Sequence, residues 1–160
     1  MPARSQTLSE VDGLTQLSFV IQQMLERRVT EHDLSLIQIR LLGVLRDREP
    51  TMSALATMLG LDKSSVSGLV DRAQRRGLVE RIPAPGDRRA SLVRLTDHGR
   101  AIATEVAEHV ADDISALLNG LPRGERKTLS QLVSKLLTTL ATAAGVDLFD
   151  TTSRTRADGA

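Results

Sequence analysis

GDRRASLVRLT, residues 86–96, is the stretch whose reading decides the fold. A glycine suited to a tight turn precedes an aspartate and two adjacent arginines, and a short apolar-rich, alternating run follows, ending in Leu95-Thr96. On the upstream side, LVERIP (residues 78–83) has the same β-rich, alternating character. The connecting PAPGDRRA holds the turn pair Pro85-Gly86. The two segments therefore read as a hairpin whose tip carries Arg88 and Arg89. What those paired cations are for depends on the neighbouring elements.

Immediately upstream lie two short helical patterns, SALATMLG (residues 53–60) and SSVSGLVDRAQRRG (64–77), joined by Leu61-Asp62-Lys63. Gly60 suits a left-handed turn and Asp62 an N-cap, so the pair has the outline of a helix-turn-helix. In the second helix Val66, Leu69, Val70 and Ala73 recur at i, i+3, i+4 and i+7 and form one apolar stripe. At about 100° per residue, Ser64, Gly68, Asp71 and Arg75 lie opposite that stripe, flanked by Ser65, Ser67 and Arg72. The outward face is thus small near its start and basic near its end. Small hydroxyl side chains permit close approach to base edges, and arginine reaches guanine or phosphate. Taken alone this is also the pattern of an ordinary surface helix; the serine cluster and the preceding glycine turn favour nucleic acid. The candidate reading residues are Lys63, Ser64, Ser65, Ser67, Gly68, Arg72 and Arg75.

A helix-turn-helix followed directly by a β-hairpin is a winged helix, and the hairpin's basic tip then sits beside the reading helix. Arginine gains from the concentrated negative potential of a narrow minor groove without needing a base code. Asp87 can accept hydrogen bonds within the loop or pair with a neighbouring arginine, shaping the tip that presents Arg88 and Arg89.

Charge agrees with this placement. The 160 residues carry a net charge of only +1, but eight basic residues stand between Lys63 and Arg94 against three acidic ones. That segment therefore carries +5 and the rest of the chain −4, the local basic field expected of a nucleic-acid face. Hydrophobic residues at 41% and charged residues at 26% describe a globular chain able to bury one core. Cysteine is absent, which excludes disulfides and thiol chemistry. No apolar run approaches the roughly 20 residues of a membrane span, and no signal-peptide pattern opens the chain, so a cytoplasmic location with no membrane partner is expected.

DRRASLVRLT (residues 87–96) fits the D-x-R-x-x-x-x-x-L-T wing signature and resembles that of the multiple-antibiotic-resistance-regulator (MarR) family. ALATMLGLDKSSVSGLVDRAQRRGLVERIP, upstream, is similar to that family's helix-turn-helix and first wing strand. The resemblance covers about Ser35 to Arg100, and the order of elements extends it over nearly the whole chain. It implies a loop-bracing role for Asp87, a minor-groove role for Arg89 with Arg88 as helper, and a major-groove position for Arg72, Ser64, Ser65 and Ser67. It also implies a homodimeric bacterial regulator that small phenolic or other lipophilic ligands release from double-stranded DNA.

The flanking segments fit independently. Leu14, Leu17, Ile21, Met24 and Leu25 recur at helical spacing within about Leu8–Arg28. Ser35 is an N-cap for SLIQIRLLGVLRDR, and Glu49-Pro50 is expected to end that helix. Thr96 can cap a helix of about 33 Å bearing Ile102, Val106, Val110, Ile114 and Leu117, longer than one small winged helix needs for packing. Another helix follows Pro122, with Leu129, Leu132, Val133, Leu136, Leu137 and Leu140 on one side. The expected fold is mainly α with a small β-hairpin wing. It divides into a flexible N-terminus (1–7), an N-terminal dimerisation helix (8–34), a winged helix-turn-helix (35–96), C-terminal dimerisation helices (97–146) and a flexible tail (147–160). The terminal helices can form either an intramolecular bundle or a dimer interface. Two-fold pairing on a pseudo-palindromic operator favours the dimer.

Other chemistry finds little support. His98 and His109 on one helix would stand about 16 Å apart, too far to share a metal. Glu105, His109 and Asp113 at i+4 intervals read as solvated helix charges, so no metal site is expected. No nucleophile motif or phosphate-binding glycine loop is present, and neither an enzyme nor a resident cofactor is expected. The rival reading is a winged-helix protein-interaction module without DNA binding, which should lack a basic tip and reading face. An effector would enter between the dimer helices and the winged domain, where Phe19, Gln23, Met24, Ile39 and His109 are candidates by position.

Overall fold

A computed structural model of the chain describes residues 7–143 and 145, apart from the side chains of Val29, Asp87, Arg88 and Arg89. The tail expected at 147–160, and all but Thr7 of the expected N-terminal segment, lie outside the described residues. Six helices and one hairpin follow in the order α1 (Glu10–His32), α2 (Leu36–Leu45), α3 (Met52–Leu59), α4 (Lys63–Arg75), β1 (Val79–Ala84), β2 (Asp87–Leu95), α5 (Asp97–Leu118) and α6 (Arg123–Ala143). No helix among the described residues is long and apolar enough to cross a membrane.

Helix starts are set by local capping. Ser35 and Gln38 form a reciprocal capping box at α2, and Thr51 accepts from the Ala54 N–H at α3. Asp62 accepts from the Ser65 N–H at α4, and Thr96 from the Gly99 N–H at α5. Between α3 and α4 the chain turns through Gly60 at φ 66°, a left-handed conformation that costs glycine little. The apolar stripe of α4 (Val66, Leu69, Val70, Ala73) is buried against Leu41, Leu45, Leu55, Leu78 and Val93, so one core joins α2, α3, α4 and the hairpin. Ala103 and Val106 extend it onto α5.

At three places the structure departs from the expected boundaries. α1 continues to His32, one turn beyond Arg28, where Asp33 at φ 51° breaks it. α2 stops at Leu45, well before Pro50, because the following chain joins the hairpin: the Val93 N–H donates to the Pro50 carbonyl at 2.9 Å, and Thr51 bridges Leu92. A strand-like contact cannot be made from a helical turn. The hairpin turn is also tighter than PAPGDRRA suggested, closing on Pro85-Gly86 with Gly86 at φ 82° and β2 resuming at Asp87. Pro83 faces Ser91 while the next residue, Ala84, faces Asp87. Arg88, Arg89 and Ala90 therefore sit in an irregularity of β2, the local kink expected of a bulge, beside the tip.

α5 meets the hairpin base in close backbone contact. Thr96 donates its N–H to the Leu78 carbonyl at 3.1 Å and its hydroxyl to the Gly77 carbonyl at 2.5 Å. A Cβ on Gly99 would stand 1.8 Å from the Leu78 oxygen, so only glycine fits this first turn. Beyond the core, apolar side chains stay exposed along α6 (Leu132, Val133, Leu136, Leu137, Leu140) and along the start of α1 (Val11, Leu14, Phe19).

Candidate nucleic-acid interface

α4 buries its stripe and leaves its other face to solvent. Lys63, Ser64, Ser65, Arg72 and Arg75 are exposed, and Ser67 and Gly68 are half-buried. At the N-terminus of α4, Asp62 accepts from the Ser64 hydroxyl at 2.6 Å, the Ser65 hydroxyl at 2.7 Å and the Ser65 N–H at 2.9 Å. These hydrogen bonds, the Ser64 hydroxyl's foremost, hold the Asp62 carboxyl far below the usual carboxylate range. The two hydroxyls offered as base readers thus already donate their protons to the cap. What they present outward is lone pairs, which accept.

The cations of the basic segment divide into two sets. Among the described residues, no side-chain hydrogen bond or ion pair engages Lys63, Arg72 or Arg75. Arg72 lies back along the helix, its Nη1 only 3.3 Å from where a Cβ on Gly68 would be. The remaining described cations are spoken for. Arg81 on β1 donates to Asp71 at 2.6 Å and to Gln74 at 2.9 Å, both on α4. Arg94 on β2 pairs with Glu80 across the hairpin at 2.7 Å. Arg76 points away from this face and caps α1, donating to the carbonyls of Asp33 and His32. The proposed brace of Asp87 and the groove contacts of Arg88 and Arg89 concern side chains outside the described residues; their backbone lies at the hairpin tip.

The arrangement can therefore do one thing well. Three exposed α4 cations without a side-chain partner among the described residues stand near a hairpin, and the acidic residues beside them, Asp71 and Glu80, are both neutralised by arginines. Such a face attracts phosphate, and the small serines at the start of α4 permit close approach to base edges. Sequence reasoning missed the tie from Arg81 to α4. The signal was present in strand alternation, since Arg81 follows buried Val79 by two and shares its face.

Of the effector candidates, Ile39 on α2 is buried in the core, Met24 on α1 and His109 on α5 are half-buried, and Phe19 and Gln23 on α1 are exposed. His109 Nδ1 is buried without a hydrogen-bond partner among the described residues. The i+4 row on α5 is drawn apart by α1: Asp113 pairs with Arg28 at 2.8 Å, and Glu105 stands 3.9 Å from His32. Among the described residues no group of three or more His, Asp or Glu side chains gathers as a metal site would require.

Residues 32–90 match a family model described as MarR family. Over 143 residues the chain is 30% identical to the multiple antibiotic resistance protein MarR of Escherichia coli (strain K12), covering 86% of this chain and 99% of that protein. It is 34% identical over 114 residues to the HTH-type transcriptional repressor NicR of Pseudomonas putida, covering 70% and 72% of the two chains. The solved structure of wild-type MarR from E. coli in its apo form superposes with a TM-score of 0.69 at 27% identity, over 83% of this chain and 99% of that one. These relatives are regulators and repressors, not enzymes.

Proposed function

The chain belongs to the MarR family of winged-helix transcription regulators, and on that premise we propose that it works as a homodimeric, sequence-specific repressor released from DNA by a small-molecule effector. The observation that carries the DNA reading is the exposed surface of α4, where the Lys63, Arg72 and Arg75 side chains have no partner among the described residues while Arg81 and Arg94 are internally engaged. An unpaired cation set is free to displace counterions from phosphates, and its location on a helix matches major-groove entry. Arg88 and Arg89, at the hairpin tip, supply the adjacent minor-groove contact in this reading. A double-stranded, pseudo-palindromic operator is the partner that two such faces would fit.

Support for the homodimer comes from the exposed apolar residues of α1 and α6. Leu132, Leu136 and Leu140 are each more than half exposed in the single chain and recur every fourth residue. A contiguous stripe of this kind marks an interaction surface. For effector release, the supporting feature is the packing of α5 against α1 and α2, with His109 on α5 keeping a buried Nδ1 without a hydrogen-bond partner among the described residues. A phenolic or other lipophilic ligand is the class proposed. Repression is proposed by similarity to NicR, a transcriptional repressor.

Electrophoretic mobility shift at defined salt, using the DNA upstream of the chain's own gene and an unrelated duplex of equal length, tests the reading. Preferential retardation of the upstream fragment is expected. Equal, weak binding to both duplexes, or none, would return the chain to a protein-interaction role.

A further inference from the structure

We infer that Arg81 is a positioning residue: it tunes the angle between α4 and the hairpin and screens Asp71 from the DNA, so it governs discrimination between sequences more than overall affinity. This deepens the function proposed above and rests on it. Arg81 stands on β1 outward of buried Val79, and its guanidinium forks onto α4. Nη2 donates to Asp71 Oδ1 at 2.6 Å and Nη1 to Gln74 Oε1 at 2.9 Å. Asp71 and Gln74 are three residues apart, one helical turn, so a planar fork held by both constrains the rotation of α4 about its axis as well as its distance.

A second attachment already exists at the base of the hairpin, where the Leu78 N–H donates to the Ala73 carbonyl at 3.0 Å. That bond and the shared core hold the base of the hairpin against α4, and an attachment farther out constrains the angle more finely. Arg81 supplies the outer one, between that base and the tip bearing Arg88 and Arg89. The Arg94–Glu80 pair cannot substitute, since it joins β2 to β1 and leaves α4 untouched.

Charge makes a second argument. Asp71 lies on the side of α4 that carries Arg72 and Arg75, and a bare carboxylate there would repel phosphate. Paired to Arg81 it presents a neutral dipole. In exchange Arg81 is withdrawn from phosphate binding, although it counts towards the basic segment. The pair is 30% and 45% exposed, where an ion pair contributes little to stability, so its effect falls on geometry rather than on folding.

Full-length wild type, Arg81→Ala, Arg81→Lys, Asp71→Asn and the double variant Arg81→Ala/Asp71→Asn are compared by operator and unrelated-duplex affinities across a salt series, with thermal midpoints measured alongside. Arg81→Ala should weaken operator binding about tenfold more than unrelated binding, with a near-native midpoint. Asp71→Asn approaches from the other side. It should tighten unrelated binding and steepen the salt slope by about one as the freed Arg81 meets a phosphate, while the ratio of specific to unrelated affinity falls. Arg81→Lys, keeping the charge but not the fork, should retain unrelated affinity and lose part of that ratio. The double variant should restore unrelated affinity relative to Arg81→Ala without restoring the ratio. An Arg81→Ala protein that loses both affinities equally with a salt slope shallower by about one would make Arg81 a phosphate contact and overturn the inference. So would one that discriminates as wild type does. A wild type with no preference for any upstream duplex overturns the function proposed above as well.

Discussion

The same substitution, glycine to alanine, should act with opposite sign at Gly99 and Gly68. At Gly99 the added methyl would lie 1.8 Å from the Leu78 oxygen and 2.8 Å from the Leu78 carbonyl carbon. Both are backbone atoms of the buried hairpin base and cannot swing aside. Relief requires the first turn of α5 to lift by well over an ångström, which breaks the Thr96 N–H to Leu78 carbonyl bond at 3.1 Å and the Thr96 hydroxyl contact with Gly77. Overpacking of this kind costs about 1–3 kcal/mol, and a buried carbonyl left unsatisfied about 1–3 kcal/mol more. Helix propensity returns about 1 kcal/mol, so Gly99→Ala should lose roughly 1–5 kcal/mol, a large part of a stability of order 5–15 kcal/mol. At Gly68 the nearest atom to the new methyl is Arg72 Nη1 at 3.3 Å, the far end of a flexible side chain in solvent. It yields freely, and Gly68→Ala should gain about 0.5–1 kcal/mol from propensity. Urea unfolding followed by circular dichroism should show a lower midpoint for Gly99→Ala and a slightly higher one for Gly68→Ala, with the slope unchanged in both. A Gly99→Ala protein within about 0.5 kcal/mol of wild type would refute the close-approach argument.

Three further outcomes are expected. Arg89→Ala should weaken binding to operator and unrelated DNA alike, whereas Arg72→Ala should lose discrimination by about 1–3 kcal/mol, and affinities on both duplexes at fixed salt would show either assignment wrong. Leu136→Asp should convert a dimer to a monomer on a sizing column, because pairing would bury an unpaired carboxylate; an unchanged elution volume would move the interface elsewhere. Asp62 has a lowered pKa in the folded chain, so its contribution to stability is complete at neutral pH, begins to fade below about pH 4 and is lost as the pH falls through the folded value. Thermal midpoints from pH 7 to pH 2 should therefore fall less steeply on the acid side for Asp62→Asn than for wild type, and parallel profiles would contradict the cap.

Local chemistry made the element order legible in the sequence. The caps at Ser35, Asp62 and Thr96 close contacts only three residues long, and the buried stripe of α4 is a matter of spacing alone. Such features need no knowledge of where the rest of the chain goes, and they emerged where the residue pattern placed them. The exposed apolar residues of α6 were legible for the same reason, since a helical stripe is written at every fourth position.

The use of each charge was settled only by tertiary structure. A count of eight cations against three anions treats all of them as available. Packing instead brings Arg81 to Asp71 across 10 residues, Arg76 to the Asp33 carbonyl across 43 and Arg28 to Asp113 across 85. Ion pairing depends on distances of a few ångströms between elements, and those are set by how buried stripes stack, not by sequence proximity. The early end of α2 and the need for glycine at position 99 have the same origin. Each answers a backbone partner, Val93 or Leu78, that a reading of neighbouring residues cannot see. The sequence alone determined that a winged helix with a basic segment would form; the tertiary structure decided which of its described arginines are engaged by partners within the fold.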